Sequence, residues 1–242
     1  MSLLGKAAML LSFDVAPDAV DEHDDWHTHE HLPERLSIPG FLRGSRWAAL
    51  HGQPRYFVMY EVEDVGTLVS DAYLQRLNNP TRWTSKIMPS YRGMTRGLCA
   101  VLASYGVGMG HFGLLIRFEP KAAAKASLDR WLGNDLLPRL PTQPGLGGAH
   151  LLEAEATPQM TNEQRIRGAD AGLGCAVLVT GYSRSSIEAL ADAELGANQF
   201  KEHGAHRVMA AIYQTEYTLM AREVDAPTIA AHLPAADHSG HS

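Results

Sequence analysis

Cysteine is nearly absent: only Cys99 and Cys175 occur in 242 residues, both inside apolar runs. A disulfide framework is therefore excluded, and buried reduced thiols are expected. Long hydrophobic runs are missing too. Stretches such as Ala7-Ala8-Met9-Leu10-Leu11 fall far short of the roughly 20 apolar residues that a spanning helix needs, so no membrane association is expected. The N-terminus has no basic region leading into a long apolar stretch and a cleavage site, which points to a cytoplasmic location. Basic excess is lacking as well. With 21 Lys+Arg against 27 Asp+Glu and a formal net charge of −6, the chain is poorly suited to phosphate backbones, so nucleic acid is not expected as a partner. There is no Gly-x-Ser-x-Gly elbow and no His-Glu-x-x-His pair, and neither cysteine has a thiolate-forming neighbourhood, so hydrolase and thiol-enzyme readings fall away. The glycines of Gly106-Val107-Gly108-Met109-Gly110 lack the Lys-Ser/Thr of a phosphate loop and read as a hinge.

What the chain does have is an internal repeat. Phe13, Trp26, Leu32, Pro33, Pro39 and Gly40 recur as Phe118, Trp131, Leu137, Pro138, Pro144 and Gly145, each pair 105 positions apart. Further on, Leu77, Met94 and Leu102 can be set against Leu195, Ile212 and Met220 at a separation of 118, so the second half carries about 13 extra residues. The polar segment 155–171 is their natural place and reads as a surface loop or lid. The implied organisation is a first half over 1–106, a second over 107–224, and a low-complexity, disordered tail over 225–242.

Within the first half, Ala8–Val15 is a short apolar strand, and Pro17 opens a helix that Pro33 ends. Arg46–His51 and Tyr56–Val62 flank a Gly52-Gln53-Pro54 turn, Val65–Leu77 has helical period, and Leu98–Ala103 is a last strand. The second half repeats this order, with strands at Gly113–Phe118, Ala149–Ala154, Cys175–Thr180 and Glu216–Ala221. Strand, helix, strand, strand, helix, strand is the ferredoxin-like order, here written twice. Such a unit leaves one sheet face bare, and two units can cover each other. The expected fold is α+β, a tandem ferredoxin-like repeat closing into an intramolecular barrel, with homodimerisation through the outer surfaces left open.

The stretch Trp26-His27-Thr28-His29-Glu30-His31-Leu32-Pro33-Glu34-Arg35, followed by Ile38-Pro39-Gly40-Phe41 and Arg46-Trp47, resembles the EthD-like branch of the dimeric α+β barrel superfamily. The match is clear over residues 8–62 and eroded over 108–221. The resemblance implies a pocket for a small molecule, often aromatic or polyketide-like, with His31 at the functional position. It does not fix the reaction, since relatives include cofactor-free monooxygenases, isomerases, cyclases, decarboxylases and haem enzymes.

An imidazole exchanges protons near neutrality, which makes His31 the candidate general acid or base. Its counterpart in the second half is Leu136, while Asp135 keeps the acid opposite Glu30, a pattern of one active and one retired pocket. Glu30 is a candidate orienting carboxylate, although neighbouring helix positions diverge by about 100°. Arg35, between Glu34 and the helix end, reads as a surface ion pair. His23, His27 and His31 stack at four-residue spacing, an arrangement a transition metal accepts, yet no Cys or carboxylate set completes a site and no metal is expected. Alternation sends Arg46 and Trp47 to opposite faces. Arg46, Trp47, Tyr56, Tyr60, Trp83 and Tyr91 are the candidate substrate-binding residues, weighed against ordinary core packing. The leading reading is a cofactor-independent enzyme of lyase, isomerase, cyclase or monooxygenase type. The alternatives are a non-catalytic small-ligand or stress-response protein and a haem-binding barrel enzyme.

Overall fold

The computed structural model describes residues 3–155 and 160–224; the segment 225–242, expected to be a disordered tail, lies outside them. Strand β1 (Ala7–Val15) is apolar at nearly every position because both of its faces are buried. Met9 and Phe13 point toward the helices, and Ala8 and Leu10 toward the opposite face. As Pro17 predicts, a 3₁₀ turn then opens helix α1 (Val20–Trp26), which runs through a π-helical turn (His27–His31) into α2 (Leu32–Leu36).

Pro33 does not end this helix. The Leu32 N–H bonds the His27 carbonyl five residues back, and that widened ladder accommodates a residue with no N–H to contribute. Pro39-Gly40 then turns the chain with Gly40 at φ 88°, and its repeat Gly145 has φ 87°, a region that side chains with a Cβ rarely adopt.

Strands β2 (Phe41–His51) and β3 (Tyr56–Val62) follow. Helices α3 (Asp71–Asn78) and α4 (Arg82–Ile87) lead to β4 (Tyr91–Gly106). The second half contributes β5 (Phe112–Pro120), α5 (Lys125–Arg130), a second π turn (Trp131–Leu136) and β6 (Leu146–Ala154). After it come α6 (Asn162–Arg167), the two-residue β7 (Ala171–Gly172), β8 (Cys175–Gly181), α7 (Arg184–Asp192), α8 (Ala197–Glu202) and β9 (Ala205–Met220).

The last strand of each half is far longer than the six residues its apolar run suggests, because each pairs with both halves. β4 runs beside β1 and then β6, and β9 beside β5 and then β2. The eight long strands close in the order β1, β3, β2, β9, β5, β8, β6, β4 and back to β1, all antiparallel. Trp47, Phe57 and Met59 of the first half meet Leu115, Leu178 and Tyr213 of the second inside the barrel, which is the expected covering of one sheet by the other. Two further cores lie between the barrel wall and each half's helices. Among the described residues no helix is long and apolar enough to cross a membrane.

Strand register also corrects the repeat. Met9 faces Leu98 and Leu114 faces Ile212, so Leu98, not Met94, is the counterpart of Ile212. The described part of the long segment between β6 and β8, where β2 and β3 are joined by four residues, is more than a polar surface loop. It carries α6, whose Thr161, Glu163 and Gln164 are buried against the first half.

Candidate active site beside His31

Helix α1 and the π turn present three imidazoles to the interior. Ring centroids of His23 and His27 are 5.7 Å apart and those of His27 and His31 5.8 Å apart, and all three rings are buried. Their second-half counterparts, 105 positions on, are Leu128, Leu132 and Leu136, which are equally buried. The same replacement runs through the surrounding shell. Arg35 corresponds to Leu140 and Arg46 to Leu151 at that spacing, while the register of β1 with β3 and β5 with β8 sets Tyr56 against Cys175 and Tyr60 against Val179. The second half closes with apolar residues where the first buries a polar set, whose desolvation must be offset by its own hydrogen bonds and ion pairs.

The polar residues form one network. The Tyr91 hydroxyl donates to His23 Nε2 (3.2 Å), and His23 Nδ1 donates to Asp24 Oδ1 (3.0 Å), which also accepts from the Tyr56 hydroxyl (2.9 Å). Arg46 donates to Glu216 (3.1 Å), to the Asp24 carbonyl (3.1 Å) and to His27 Nδ1 (3.3 Å). A guanidinium only donates, so Nδ1 of His27 is the acceptor and its proton sits on Nε2, donated to the Tyr60 hydroxyl at 3.3 Å. Burial, reinforced by His23 and Arg46, holds the His27 pKa well below that of a free imidazole. Burial likewise pushes the Tyr60 phenol up, so it stays protonated and is a hydrogen-bond donor.

His31 differs from its neighbours. Its Nδ1 is buried with no hydrogen-bond partner, and the nearest carboxylate oxygen, Glu34 Oε2, is 4.0 Å away. Such an orphan costs about 1–3 kcal/mol. Burial, followed by Arg35, holds its pKa well below the ordinary value, which leaves a neutral imidazole at pH 7. The ring lies on Trp26, and beside it is a cavity of about 20 Å³, room for about one water. Tyr60, Tyr73, Arg35 and Arg96 supply its polar wall and Met9, Leu11 and Leu77 its apolar one.

Of the residues singled out in the sequence, His31 and Tyr60 line this cavity and Arg46 reaches it through His27. Glu30 does not touch His31. It accepts from Trp26 Nε1 (3.1 Å), Thr81 (2.5 Å) and Thr84 (3.4 Å), so it fixes the indole on which His31 rests and the start of α4. Tyr56 and Tyr91 belong to the His23 and Asp24 end of the network. Trp83 donates to Glu22 on the outer side of the helices (3.2 Å), and Trp47 sits inside the barrel, away from His31.

Arg35 is not a surface ion pair. It is almost wholly buried, bonded to Glu34 (3.1 Å) and to Glu163 of α6. Sequence reasoning missed Arg35, Tyr73, Arg96 and Glu163. The signal for Arg35 was Leu140, an apolar residue at the repeat position.

The residues as they stand do not fit a metal ion. Both ring nitrogens of His23 and of His27 are engaged by other side chains, and no group of three ligating side chains is gathered among the described residues.

No protein-family model and no curated protein matches this sequence. Solved structures do match. An anthrone oxidase-like protein superposes with a TM-score of 0.61 at 11% identity, covering 91% of this chain and 96% of that one. A candidate monooxygenase of Fusobacterium nucleatum gives 0.58 at 8% identity over 90% and 96%. One of Lactobacillus acidophilus gives 0.53 at 11% over 89% and 96%. This chain has the dimeric α+β barrel fold. In this tandem barrel both halves come from one polypeptide, and only the first carries the polar set, where the second has leucines.

Proposed function

We propose that the protein is a cofactor-independent enzyme of the monooxygenase type, acting on an aromatic or polyketide-like small molecule bound in the His31 cavity. The observation that carries this reading is the buried, unpartnered Nδ1 of a neutral His31 in a cavity whose counterpart is filled by leucine. The names of the fold neighbours, anthrone oxidase-like and candidate monooxygenase, agree with it. The Glu30-His31-Leu32-Pro33 pattern supports a place in the EthD-like branch.

In this mechanism His31 takes a proton from an acidic C–H of the substrate. The Tyr60 hydroxyl, oriented by His27, donates to the substrate oxygen on which the negative charge develops. The resulting carbanion reacts with dioxygen. A methylene and O₂ give a ketone and one water, with one oxygen atom in each, so the substrate supplies all the electrons and no separate reductant is required. A purely ligand-binding role has less support, because two phenols, three guanidinium groups and a carboxylate converge beside His31.

The test is oxygen uptake with anthrone, whose ring methylene is acidic. Wild-type protein is expected to consume one O₂ per anthrone and to form anthraquinone without added metal, flavin or haem. Absence of uptake, or uptake that appears only on adding one of these groups, contradicts the proposal.

A further inference from the structure

The cavity beside His31 is too small for any organic substrate, so part of its wall must withdraw before one binds. Most of that wall is repeat framework. The exceptions are Thr161, Glu163 and Arg167, which lie on the insertion between β6 and β8. Among its described residues the segment is held to the first half by two hydrogen bonds between Asn162 and Asn78 (3.1 and 2.7 Å), a backbone bond from Glu155 to Leu98 (2.8 Å), the short pairing of β7 with β4, the burial of Thr161 and Gln164, and the Glu163 carboxylate.

That carboxylate is the centre of the contact. It is buried, ion-paired with the buried guanidinium of Arg35, and 4.0 Å from Arg167, which is itself bonded to Asp170 (2.7 Å). On the far side of the cavity Arg96 is also buried. It donates to the Tyr73 hydroxyl (3.3 Å) and has no carboxylate within ion-pair distance among the described residues. Tyr73 joins the two cations, since its ring also lies 5.9 Å from the Arg35 guanidinium. If Glu163 leaves, two buried guanidinium groups face the cavity with only Glu34 near one of them, a state that is strongly unfavourable unless another anion enters. A neutral ligand of the same size leaves that charge unmet and so binds more weakly.

We propose that the His31 cavity favours a ligand that carries a carboxylate, held by Arg35 and Arg96, and that Glu163 occupies the place of that carboxylate against Arg35 while the cavity is empty of ligand. This rests on the reading of the cavity as the substrate site. Glu163 is then an internal competitor that closes the site without ligand and is displaced by an anion of matching geometry. Specificity follows: an aromatic acid opens the site more readily than its uncharged ester, and a neutral substrate such as anthrone enters only at higher concentration.

The probes are 2-naphthoate and its methyl ester, with binding measured by titration calorimetry. Glu163→Gln is expected to bind 2-naphthoate at least tenfold more tightly than wild type, to bind the ester within twofold of wild type, and to lose its gain when Arg96→Met is added. Equal naphthoate affinity in wild type and Glu163→Gln, or an equal gain for the ester, overturns the proposal. Should Glu163→Gln fold poorly, hydrogen exchange on the wild type gives the same decision. Saturating naphthoate is expected to speed exchange of the α6 amides at least fivefold, and bound naphthoate with unchanged exchange overturns displacement. Neither readout needs turnover. Failure of the His31 chemistry would leave both intact, whereas failure of this inference would leave His31-dependent anthrone oxidation intact.

Discussion

Trp26 lies against His31 with ring centroids 4.3 Å apart, and its indole N–H is held by the carboxylate of Glu30 four residues on. Glu30 therefore acts on the imidazole at one remove. It fixes the plane on which the ring rests, and through Thr81 and Thr84 it also ties the helix to the start of α4.

Removing the Glu30 acceptor leaves the Trp26 N–H and the Thr81 hydroxyl to share the Thr84 hydroxyl oxygen (3.3 and 3.0 Å), so one of the two is poorly satisfied, at about 1–3 kcal/mol. Glu30→Ala is expected to lower Tm by several degrees, given roughly 2–4 °C per kcal/mol for a chain of this size. Glu30→Gln keeps an acceptor and is expected to lose less than half as much. Scanning calorimetry of the two variants checks this.

The second half supplies a control for function. Leu136→Ala removes a buried side chain at the position equivalent to His31 and is expected to cost about 2–5 kcal/mol of stability. Oxygen uptake per folded molecule is expected to stay at the wild-type level, measured beside a urea unfolding curve. A matching fall in turnover would show that the leucine-lined half takes part in the chemistry.

Stability is expected to fall on acidification. His27 and His31 have pKa values held well below the free value by burial, and that of His150 is pushed down to about 4 by burial. Below pH 6.5 the unfolded chain takes up protons that the folded chain does not, so unfolding becomes easier. Each such histidine contributes up to about 1.4 kcal/mol per pH unit until its folded pKa is reached. Urea unfolding at pH 7.5 and 5.5 measures the loss, and His31→Leu is expected to make it smaller by one histidine's share.

Tyr60→Phe takes away the hydroxyl that His27 Nε2 holds at 3.3 Å, and with it the donor to the developing charge. The expected result is a fall of roughly 10²-fold in kcat with the fold retained, read from steady-state oxygen uptake and a far-ultraviolet spectrum.

Much of this was legible in the chain. The 105-residue repeat through Trp26 and Trp131, and through Pro39-Gly40 and Pro144-Gly145, carries the tandem fold because those residues sit where the backbone has few alternatives. The stacking of His23, His27 and His31 followed from helical spacing, and the π turn preserved it. The ends of β4 and β9 were not legible, since pairing across the halves, not apolar character, extends them. Arg96 falls in the earlier part of β4, beside Leu11 of β1 and ahead of the apolar run. Glu163 was hidden for a different reason: it stands on an insertion with no repeat partner, and a single carboxylate in a polar stretch looks solvated until its guanidinium partner, 128 positions earlier, is in place.

The most direct measurement of the central claim is anthrone oxidation by His31→Gln. Glutamine keeps hydrogen-bonding capacity but cannot exchange a proton near neutrality, so the account predicts a folded protein with Tm within a few degrees of wild type and kcat lower by roughly 10² to 10⁴. Wild-type turnover in the folded His31→Gln protein would contradict it.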